Sequence, residues 1–381
     1  MTNDIKVLAH NDLRPRVGVV IGTRPGFVML APIIRELVNR VADHFVIHTG
    51  QHYSPNMDLQ FFEDLQLEAP AFRLEGTSKL TTHGAQTAHM LEGIEQILLE
   101  QRPRMLVVGG DANTNLAGAL AARKLGIGVA HVEAGERSFD WSMPEEHNRR
   151  MIDHVSDLLF ATGRKAKEQL EQESVSGKII ESGNPIVDAS LMFKDAAINR
   201  PGLSERLELS SAPFGILTMH REENVDDRDT LRRCLEGVSA AATELELPLR
   251  FYVHPRTRKR IDQFGLSELV TSLKNIECHE PAGYLDFLAL ISAARLIFTD
   301  SGGVQQEACI HQTPCVTLRD NTEWTETLDS GANRLAGTQA ADIMEAAREA
   351  CEIAPAWPVP FGDGAARVRI CDAIEAWLKQ A

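Results

Sequence analysis

The stretch Leu296–Ala308, LIFTDSGGVQQEA, reads as a β-strand that passes directly into an α-helix. Four apolar or β-branched residues lead to Asp300, and Ser301, Gly302 and Gly303 then open an amphipathic helical pattern. Two glycines in a first turn cost about 1 kcal/mol each relative to alanine, so a helix cap formed by Ser301 explains them poorly. Bare N–H groups at a helix N-terminus suit a phosphate. We therefore predict a phosphate or diphosphate contact at this turn, with Glu307 facing the same cleft.

The same strand-to-helix pattern recurs along almost the whole chain. Short β-branched runs alternate with longer segments whose apolar residues recur at three- and four-residue steps, which is typical of βαβ units and parallel sheets. We predict an α/β protein with two Rossmann-like, doubly wound domains facing a cleft. The predicted strands are 16–21, 44–49, 105–109, 128–132 and 157–161 in the first half, and 214–219, 249–253, 295–299 and 314–318 in the second.

The length of 381 residues also favours two domains. We place an N-terminal domain at 1–185 and a C-terminal domain at 186–362, with SGNPIVDASLMF (182–193) crossing between them. An amphipathic pattern at 363–381 predicts a final helix that packs back on the N-terminal domain.

Composition argues against several classes of function. The chain carries 39 Lys and Arg against 54 Asp and Glu, a net charge of −15, and no long basic block, so a nucleic-acid partner is not expected. Neither a membrane-spanning run nor a signal peptide is evident, so we expect a soluble, cytoplasmic protein. Its six cysteines form no CxxC pair, and we interpret them as free thiols, mostly buried, with no structural metal.

Carboxylates follow three strands of the first half. Asp111 follows one strand, Glu133 ends another, and Glu145 and Glu146 open a helix after Pro144. Acids in a first helical turn often only offset the helix dipole, and we interpret Glu146 in this way. Several carboxylates in one partly dry cleft raise one another's pKa, which yields groups that exchange protons near neutrality. We therefore predict acid/base chemistry at Asp111, Glu133 and Glu145.

Basic side chains follow strands in both halves. Arg24 lies in a Gly-x-Arg-Pro turn that suits phosphate, although such a turn is equally compatible with a structural role. His220 and His254 each follow a strand, and Arg319 follows another. These side chains predict a locally basic cleft in an acidic protein, which a diphosphate fits.

In this order, the motifs resemble the non-hydrolysing UDP-N-acetylglucosamine 2-epimerase family from about Arg16 to the C-terminus. The matching stretches are GTRPG, HTGQHYS, GDANTNLAGALAA, HVEAGERS, MPEEHNR, SGNPIVDA, HREENVD, HPRTRKR, TDSGGVQQEA and LRDNTEWTET. The resemblance implies a glycosyltransferase-B-like pair of domains, often a homodimer. It also implies that C2 of a UDP-linked N-acetylhexosamine is inverted by loss of UDP to a 2-acetamidoglucal and re-addition of UDP.

Carried over position by position, the resemblance assigns roles without deciding which carboxylate is the base. No cofactor is implied, and no tyrosine is followed four residues later by lysine, so the YxxxK pair of nicotinamide-dependent sugar epimerases is missing. The resemblance implies that Glu307 contacts the ribose and that Gln51 and His254 are candidate allosteric contacts. Acid/base roles fall to Asp111, Glu133, Glu145 and His220, and contacts with UDP or the sugar to Arg24, Met29, Arg137, Arg149, Asn184, Ser301, Gly302, Gly303 and Arg319.

The chain departs from the family pattern at several of these motifs. Met29 stands where the first loop usually ends in lysine, which replaces a cation by an apolar side chain. The other departures are Ala112 for threonine, Glu136 for leucine, Gln306 for glutamate, and Trp324 and Thr325 for arginine and proline. We hypothesise that the sugar recognised is modified, or that the chemistry is weakened.

Three other functions stay open at this point. A glycosyltransferase on the same fold would need an acceptor, and the carboxylates argue against it because a retaining transferase needs little general base. A hydrolysing relative would release UDP and free sugar. A UDP-sugar-binding protein without catalysis is motivated by Met29.

Overall fold

The computed structural model describes residues 17–40, 42–51, 62, 64–198, 200, 202–209 and 212–380, apart from the side chains of Arg24, Asp195 and Ile198. Two separate sheets form within these residues, and every strand pair in both is parallel. This confirms the predicted α/β class with two doubly wound domains.

The N-terminal sheet has the strand order β3-β2-β1-β4-β5-β6-β7. The order reverses between β1 and β4, the point at which open α/β sheets bind ligands beyond the strand ends. Its strands are β1 Val17–Ile21, β2 His44–His48, β3 Phe72–Arg73, β4 Met105–Gly109, β5 Gly128–Ala134, β6 Leu158–Ala161 and β7 Lys178–Glu181.

The C-terminal sheet repeats this plan with the order β10-β9-β8-β11-β12-β13, and its reversal lies between β8 and β11. Its strands are β8 Gly215–Thr218, β9 Leu249–Tyr252, β10 Ile276–His279, β11 Leu296–Thr299, β12 Cys315–Thr317 and β13 Asn333–Leu335.

Helices cover both sheets, which is why the inner strands read as nearly continuous apolar runs. β4 and β11 are buried along their whole length. In chain order, the helices of the described residues are α1 Arg24–Asn39, α2 His83–Gln101, α3 Asn113–Lys124, α4 Pro144–Val155, α5 Arg164–Gln172, α6 Pro185–Ile198, α7 Leu203–Arg206, α8 Glu222–Val225, α9 Arg228–Glu244, α10 Pro255–Gln263, α11 Ser267–Ser272, α12 Tyr284–Ala293, α13 Gly302–Ile310, α14 Thr325–Asp329, α15 Ala340–Glu352 and α16 Ala366–Gln380. None of them is both long and apolar enough to cross a bilayer.

Two helices connect the halves of the chain. Helix α6 packs against α1 of the first half and against α12 and α13 of the second. The final helix α16 packs against α1, where Arg40 donates to Asp372 at 2.7 Å and to Glu375 at 3.0 Å. Arg104, which also belongs to the first half of the chain, donates to the backbone carbonyl of Leu378 in α16 at 2.9 Å.

Candidate active site

A pocket of about 350 Å³ opens at the carboxyl ends of β4 and β5. It brings together five of the predicted site residues. Its lining comprises Asp111, Glu133, Glu145, Met29 and Gln51, together with Thr23, Pro25, Gly26, Thr81, His83, Gln86, Gly109, Gly110, Ala112, Asn113, Asn115 and Asn148.

Glu133 owes its position to an irregularity at the end of β5. The register between β5 and β6 shifts between Val132 and Ala134, and Glu133 has a left-handed φ of 68°. Bulges of this kind re-aim a side chain, and backbone strain in a non-glycine residue is concentrated at functional sites. Asn184, which is fully buried, donates to the Glu133 carboxylate at 3.3 Å.

The protonation of Glu133 follows from its surroundings. Burial, reinforced by the nearby Asp111 and Glu136 carboxylates, raises the pKa of Glu133 to about 8, while Arg149 and Asn184 oppose that rise only in part. A carboxyl group with this pKa exchanges protons near neutral pH. This is the behaviour predicted for a carboxylate in a partly dry cleft.

Asp111 is held differently, by a cation. It forms a short ion pair with Arg149, whose guanidinium also donates to Glu146 at 3.1 Å. The Arg149 side chain is only 9% exposed, so it serves both carboxylates from inside the protein. Arg149 therefore connects Asp111, which lines the pocket, with the buried Glu146 of α4.

Glu146 is more than compensation for the dipole of α4, so that interpretation was wrong. It is fully buried and accepts hydrogen bonds from the backbone N–H and hydroxyl of Ser138 and from Arg149 and Arg150. These donors outweigh the cost of burial and lower the pKa of Glu146. Glu146 therefore orders the loop that leads into α4, beside Glu145.

Glu136 and Arg137 follow Glu133 but point elsewhere. Burial raises the pKa of Glu136 to about 7, although the Thr162 hydroxyl donates to its carboxylate. Arg137 is 1% exposed in its side chain and pairs with Asp153 and Glu173, each at 2.7 Å. Arg137 therefore lies among buried ion pairs rather than on the pocket wall. Its contact with the substrate stays a prediction.

An amide network along the pocket was missed by the sequence reasoning. Asn148 donates to the backbone carbonyl of Asp111 at 2.8 Å and to Asn113 at 3.1 Å, and Asn113 lies 3.0 Å from a ring nitrogen of His83. The Asn115 side chain accepts a hydrogen bond from the backbone N–H of Gly109 and donates one to the backbone carbonyl of Gly109. Asn113 and Asn115 lie in the GDANTN motif, but nothing in the sequence linked His83 or Asn148 to that motif.

The second domain places His220 after β8, as predicted. Its Nδ1 lies 3.2 Å from Asp300, which also accepts the backbone N–H groups of His220 and Arg221 at 3.0 Å. Burial raises the pKa of Asp300, but contacts with His220 and these N–H groups outweigh it, and the net shift is downward. Asp300 therefore fixes the backbone and imidazole of His220.

The Ser301-Gly302-Gly303 turn begins α13, and Ser301 forms no side-chain cap. The two glycines have different surroundings. A Cβ on Gly302 would lie 2.7 Å from Glu323 and 2.8 Å from the indole nitrogen of Trp324, whereas a Cβ on Gly303 would meet no heavy atom of the described residues within 4 Å. Packing alone therefore explains a glycine at position 302, whereas Gly303 faces open space, and the contact of this turn with a phosphate stays a prediction.

Arg319 and Glu307 are both enclosed. Arg319 is 5% exposed and donates to Glu223 at 2.8 Å and to Glu323 at 2.9 Å. Burial raises the pKa of Glu307 to about 7, partly offset by a hydrogen bond with Tyr284. Neither side chain lines the pocket beside Glu133.

The candidate allosteric residues lie in different domains. Gln51 lines the pocket and accepts from the N–H and hydroxyl of Thr114, at 2.9 and 2.8 Å. His254 accepts from the N–H of Arg256 at 3.2 Å and its ring lies 5.3 Å from that of His220. The Arg24 side chain lies outside the described residues, so its phosphate contact stays a prediction.

Other departures from the family pattern have local explanations. Helix α3 begins at Asn113 with no side-chain cap because Ala112 has no hydroxyl. Trp324 packs edge-on against Phe361 at 5.5 Å. Thr325 accepts from Lys165 of the N-terminal domain at 3.0 Å. Within the described part of the chain, no group of three His, Cys, Asp or Glu side chains is placed to hold a metal ion.

Comparison with known proteins agrees with these observations. The family model for UDP-N-acetylglucosamine 2-epimerase matches residues 35–375. The UDP-N-acetylglucosamine 2-epimerase of Methanocaldococcus jannaschii is 46% identical over 360 residues, which cover 93% of this chain and 97% of that protein. The UDP-2,3-diacetamido-2,3-dideoxy-D-glucuronate 2-epimerase of Pseudomonas aeruginosa is 38% identical over 337 residues, which cover 87% and 91% of the two chains.

The fold likeness is equally extensive. The crystal structure of the Methanocaldococcus jannaschii UDP-GlcNAc 2-epimerase in complex with UDP-GlcNAc and UDP superposes with a TM-score of 0.89 at 45% identity. The superposition covers 95% of this chain and 99% of that chain. The predicted glycosyltransferase-B-like pair of Rossmann domains is thereby confirmed.

Proposed function

This chain belongs to the UDP-N-acetylglucosamine 2-epimerase family, and from that premise we propose that it inverts C2 of a UDP-2-acetamido sugar at the pocket formed by Asp111, Glu133 and Glu145. It is an isomerase that acts on a UDP-sugar. The observation that carries the assignment of the site is the convergence of three carboxyl groups on one pocket, with the pKa of Glu133 raised to about 8.

The chemistry requires coupled proton transfer. As a base takes the C2 proton, the C2–H electron pair forms the C1=C2 bond and the C1–O bond breaks, so UDP leaves with its electron pair. The return step adds UDP to C1 while an acid protonates C2 on the opposite face. Two carboxyl groups in different protonation states can supply the base and the acid.

We assign these roles from the surroundings of each carboxyl group. Glu133 is mostly protonated at pH 7 because its pKa is about 8, so it suits proton donation. Asp111 pairs with Arg149 and suits proton acceptance. His220 and the α13 N-terminus would neutralise the departing diphosphate, since N–H donors and a positive helix end stabilise developing negative charge.

The sugar is proposed to carry no additional negative charge. The described ionisable residues that line the pocket are His83, Asp111, Glu133 and Glu145, with no lysine or arginine among them, so a sugar carboxylate would find no such cation on the described wall and would meet the negative charge of Asp111. The named substrates of the two relatives differ in this respect, because that of the Pseudomonas aeruginosa enzyme is a glucuronate. We therefore expect UDP-N-acetylglucosamine, or a neutral derivative of it, to be preferred over a uronate.

Proton NMR in deuterium oxide tests the function and the sugar together. Incubation with UDP-N-acetylglucosamine should exchange the C2 proton and produce a second UDP-sugar, with faster turnover than UDP-2,3-diacetamido-2,3-dideoxy-D-glucuronate. Faster turnover of the uronate would contradict the proposed sugar. UDP that accumulates with free sugar would indicate hydrolysis, and binding of UDP-sugars without exchange would favour a non-catalytic protein.

The homodimer implied by the resemblance and the cytoplasmic location expected from the sequence stay predictions. Light scattering at micromolar concentration measures the mass in solution directly. A value near twice the 42.1 kDa of one chain is expected for the dimer.

A further inference from the structure

Met29 is an unusual side chain for the wall on which it lies. It belongs to the second turn of α1, is 6% exposed, and lines the same pocket as Asp111, Glu133 and Glu145. Most other lining side chains carry a polar group or are small, so Met29 is the largest apolar side chain among the described residues that line this pocket.

Met29 and Glu133 both approach the backbone of Gly110. A Cβ built on Gly110 would lie 3.2 Å from the methyl carbon of Met29 and 3.6 Å from a carboxylate oxygen of Glu133. Gly110 has a φ of 79°, so it holds a backbone conformation that strongly favours glycine. The missing side chain leaves room for the thioether and the carboxyl group to approach the same space.

Several other groups act on the Glu133 carboxyl. Asp111 and Glu136 favour its neutral form, whereas Arg149 and the hydrogen bond from Asn184 favour its charged form. Glu145 and His83 line the same pocket. Arg149 is committed to Asp111 and Glu146, so its charge is largely shared with other carboxylates.

We propose that Met29 is a positioning residue for the epimerisation, because its thioether excludes water from one side of Glu133 and so keeps that carboxyl group protonated in the free enzyme. This inference rests on the proposed function, in which Glu133 donates the proton to C2. An ionised carboxylate in the free enzyme would have to gain a proton before each return step.

The proposal separates exclusion of water from the loss of a charge. A lysine at position 29, which the resemblance predicts, would place an ammonium near Glu133 and favour its ionised form. Glutamine has a similar length to methionine without a charge, and it would bring hydrogen-bonding groups to the carboxyl. Leucine keeps an apolar wall and should preserve the protonated state.

The experiment is a pH titration of the free enzyme with glutamate labelled at the carboxyl carbon, read by 13C NMR. Glu133→Gln assigns the signal by its absence. The signal should titrate near pH 8 in the wild type. We expect Met29→Lys to lower that midpoint by about one unit or more, Met29→Gln to lower it less, and Met29→Leu to leave it within about 0.3 units.

Met151→Lys is the matched control, because Met151 is 43% exposed on α4 and does not line the pocket. It adds the same charge at an exposed position and should leave the titration unchanged. The proposal is overturned if Met29→Gln titrates as the wild type does, because a shift in Met29→Lys alone would come from its charge, or if the Glu133 signal of the wild type titrates below pH 6.

The titration needs no substrate, so its outcome is independent of whether the enzyme turns over a UDP-sugar. Failure of C2 exchange would remove the proposed function while leaving the effect of Met29 on Glu133 measurable. Where exchange occurs, the pH dependence of kcat/KM, which reports ionisations of the free enzyme, should show the same ordering of the variants.

Discussion

At the scale of single residues, Glu133 and Glu136 form a natural comparison. They lie three positions apart, and burial is the main cause that raises both pKa values, to about 8 and about 7. Only Glu133 lines the pocket, and Glu136 instead accepts from Thr162. Burial and a shifted pKa therefore do not identify a catalytic group without access to the substrate.

This comparison gives a test of catalytic assignment. Glu133→Gln should slow exchange of the C2 proton by about 10²- to 10⁴-fold, because the amide cannot transfer a proton. Glu136→Gln should retain exchange within about threefold, since the amide can still accept from Thr162. Initial rates of deuterium incorporation measure both. Equal losses in the two variants would contradict the assignment of Glu133 alone.

The sequence predicted the acidic pocket because its members follow neighbouring strands. Asp111 and Glu133 end up together for the topological reason that β4 and β5 are adjacent. His83 and Asn148 could not be predicted, because they come from α2 and α4 and meet the pocket only through tertiary packing. The interpretation of Glu146 was wrong because it considered only the charge in the first turn of the helix. That charge does not reveal the hydrogen bonds that Ser138 and Arg150 donate to Glu146.

At the scale of elements, the N-terminus of α13 distinguishes packing from ligand approach. Gly303 occupies the second helical position and faces open space, whereas Gly302 is enclosed by Glu323 and Trp324. If the proposed diphosphate approaches this turn, a methyl group on Gly303 would obstruct it while removing the conformational cost of glycine.

Gly303→Ala should therefore raise the stability of the free protein by up to about 1 kcal/mol and weaken UDP binding about tenfold or more. Gly84→Ala is the matched control, since Gly84 also occupies the second position of its helix, α2, and a Cβ there meets no described heavy atom within 4 Å. It should stabilise without affecting UDP. Calorimetric titration with UDP and thermal unfolding supply the two readouts. Unchanged UDP affinity in Gly303→Ala would argue against the diphosphate turn.

The buried strands were predicted because their apolar runs are continuous, as in β4 and β11. The sequence missed β3, β7, β10 and β13, which are short or lie at sheet edges. Lys178–Glu181 of β7, for example, has exposed ends and a half-buried centre. Such segments carry little apolar periodicity, so pairing with a neighbouring strand decides their structure.

The final helix provides a test of domain organisation. Ile370 of α16 is fully buried in the same core as residues of α1. Ile370→Ala should lower the free energy of unfolding by about 2–4 kcal/mol, because it leaves a cavity in that core. Leu99→Ala, at a position that is 54% exposed, should change it by less than about 0.5 kcal/mol. Urea unfolding measures both, and a small effect at Ile370 would contradict a structural role for α16 in the N-terminal domain.

At the scale of the whole molecule, buried ionisable groups link stability to pH. A carboxyl group whose folded pKa is raised contributes fully below its ordinary pKa, and the contribution is lost as pH rises through the folded value. A histidine whose folded pKa is lowered contributes fully above its ordinary pKa and loses the contribution as pH falls. The carboxyl groups with a raised pKa include Glu133, Glu136 and Glu307, and the histidines with a lowered pKa include His48 and His311.

These opposing groups predict a stability maximum in mildly acidic solution. The pKa values of His48 and His311 are about 4, so their contributions disappear between pH 6.5 and 4. The carboxyl groups with raised pKa values have the opposite pH dependence. Above pH 6.5 their contribution to the free energy of unfolding still decreases as pH rises, while both histidines are neutral in the folded and the unfolded chain. The free energy of unfolding of the free enzyme should therefore fall between pH 6.5 and 8.

Glu136→Gln tests this linkage without replacing any of the proposed catalytic carboxyls. The amide is never charged, so the variant escapes the part of the loss that comes from ionising Glu136, whose pKa is about 7. Urea unfolding at pH 5.5, 6.5, 7.5 and 8.5 should show a smaller decline for the variant than for the wild type, and the difference should develop mainly below pH 7.5. Two curves that stay parallel across this range would show that Glu136 has the same proton affinity in the folded and unfolded chains, which its burial beside Thr162 and near Glu326 argues against.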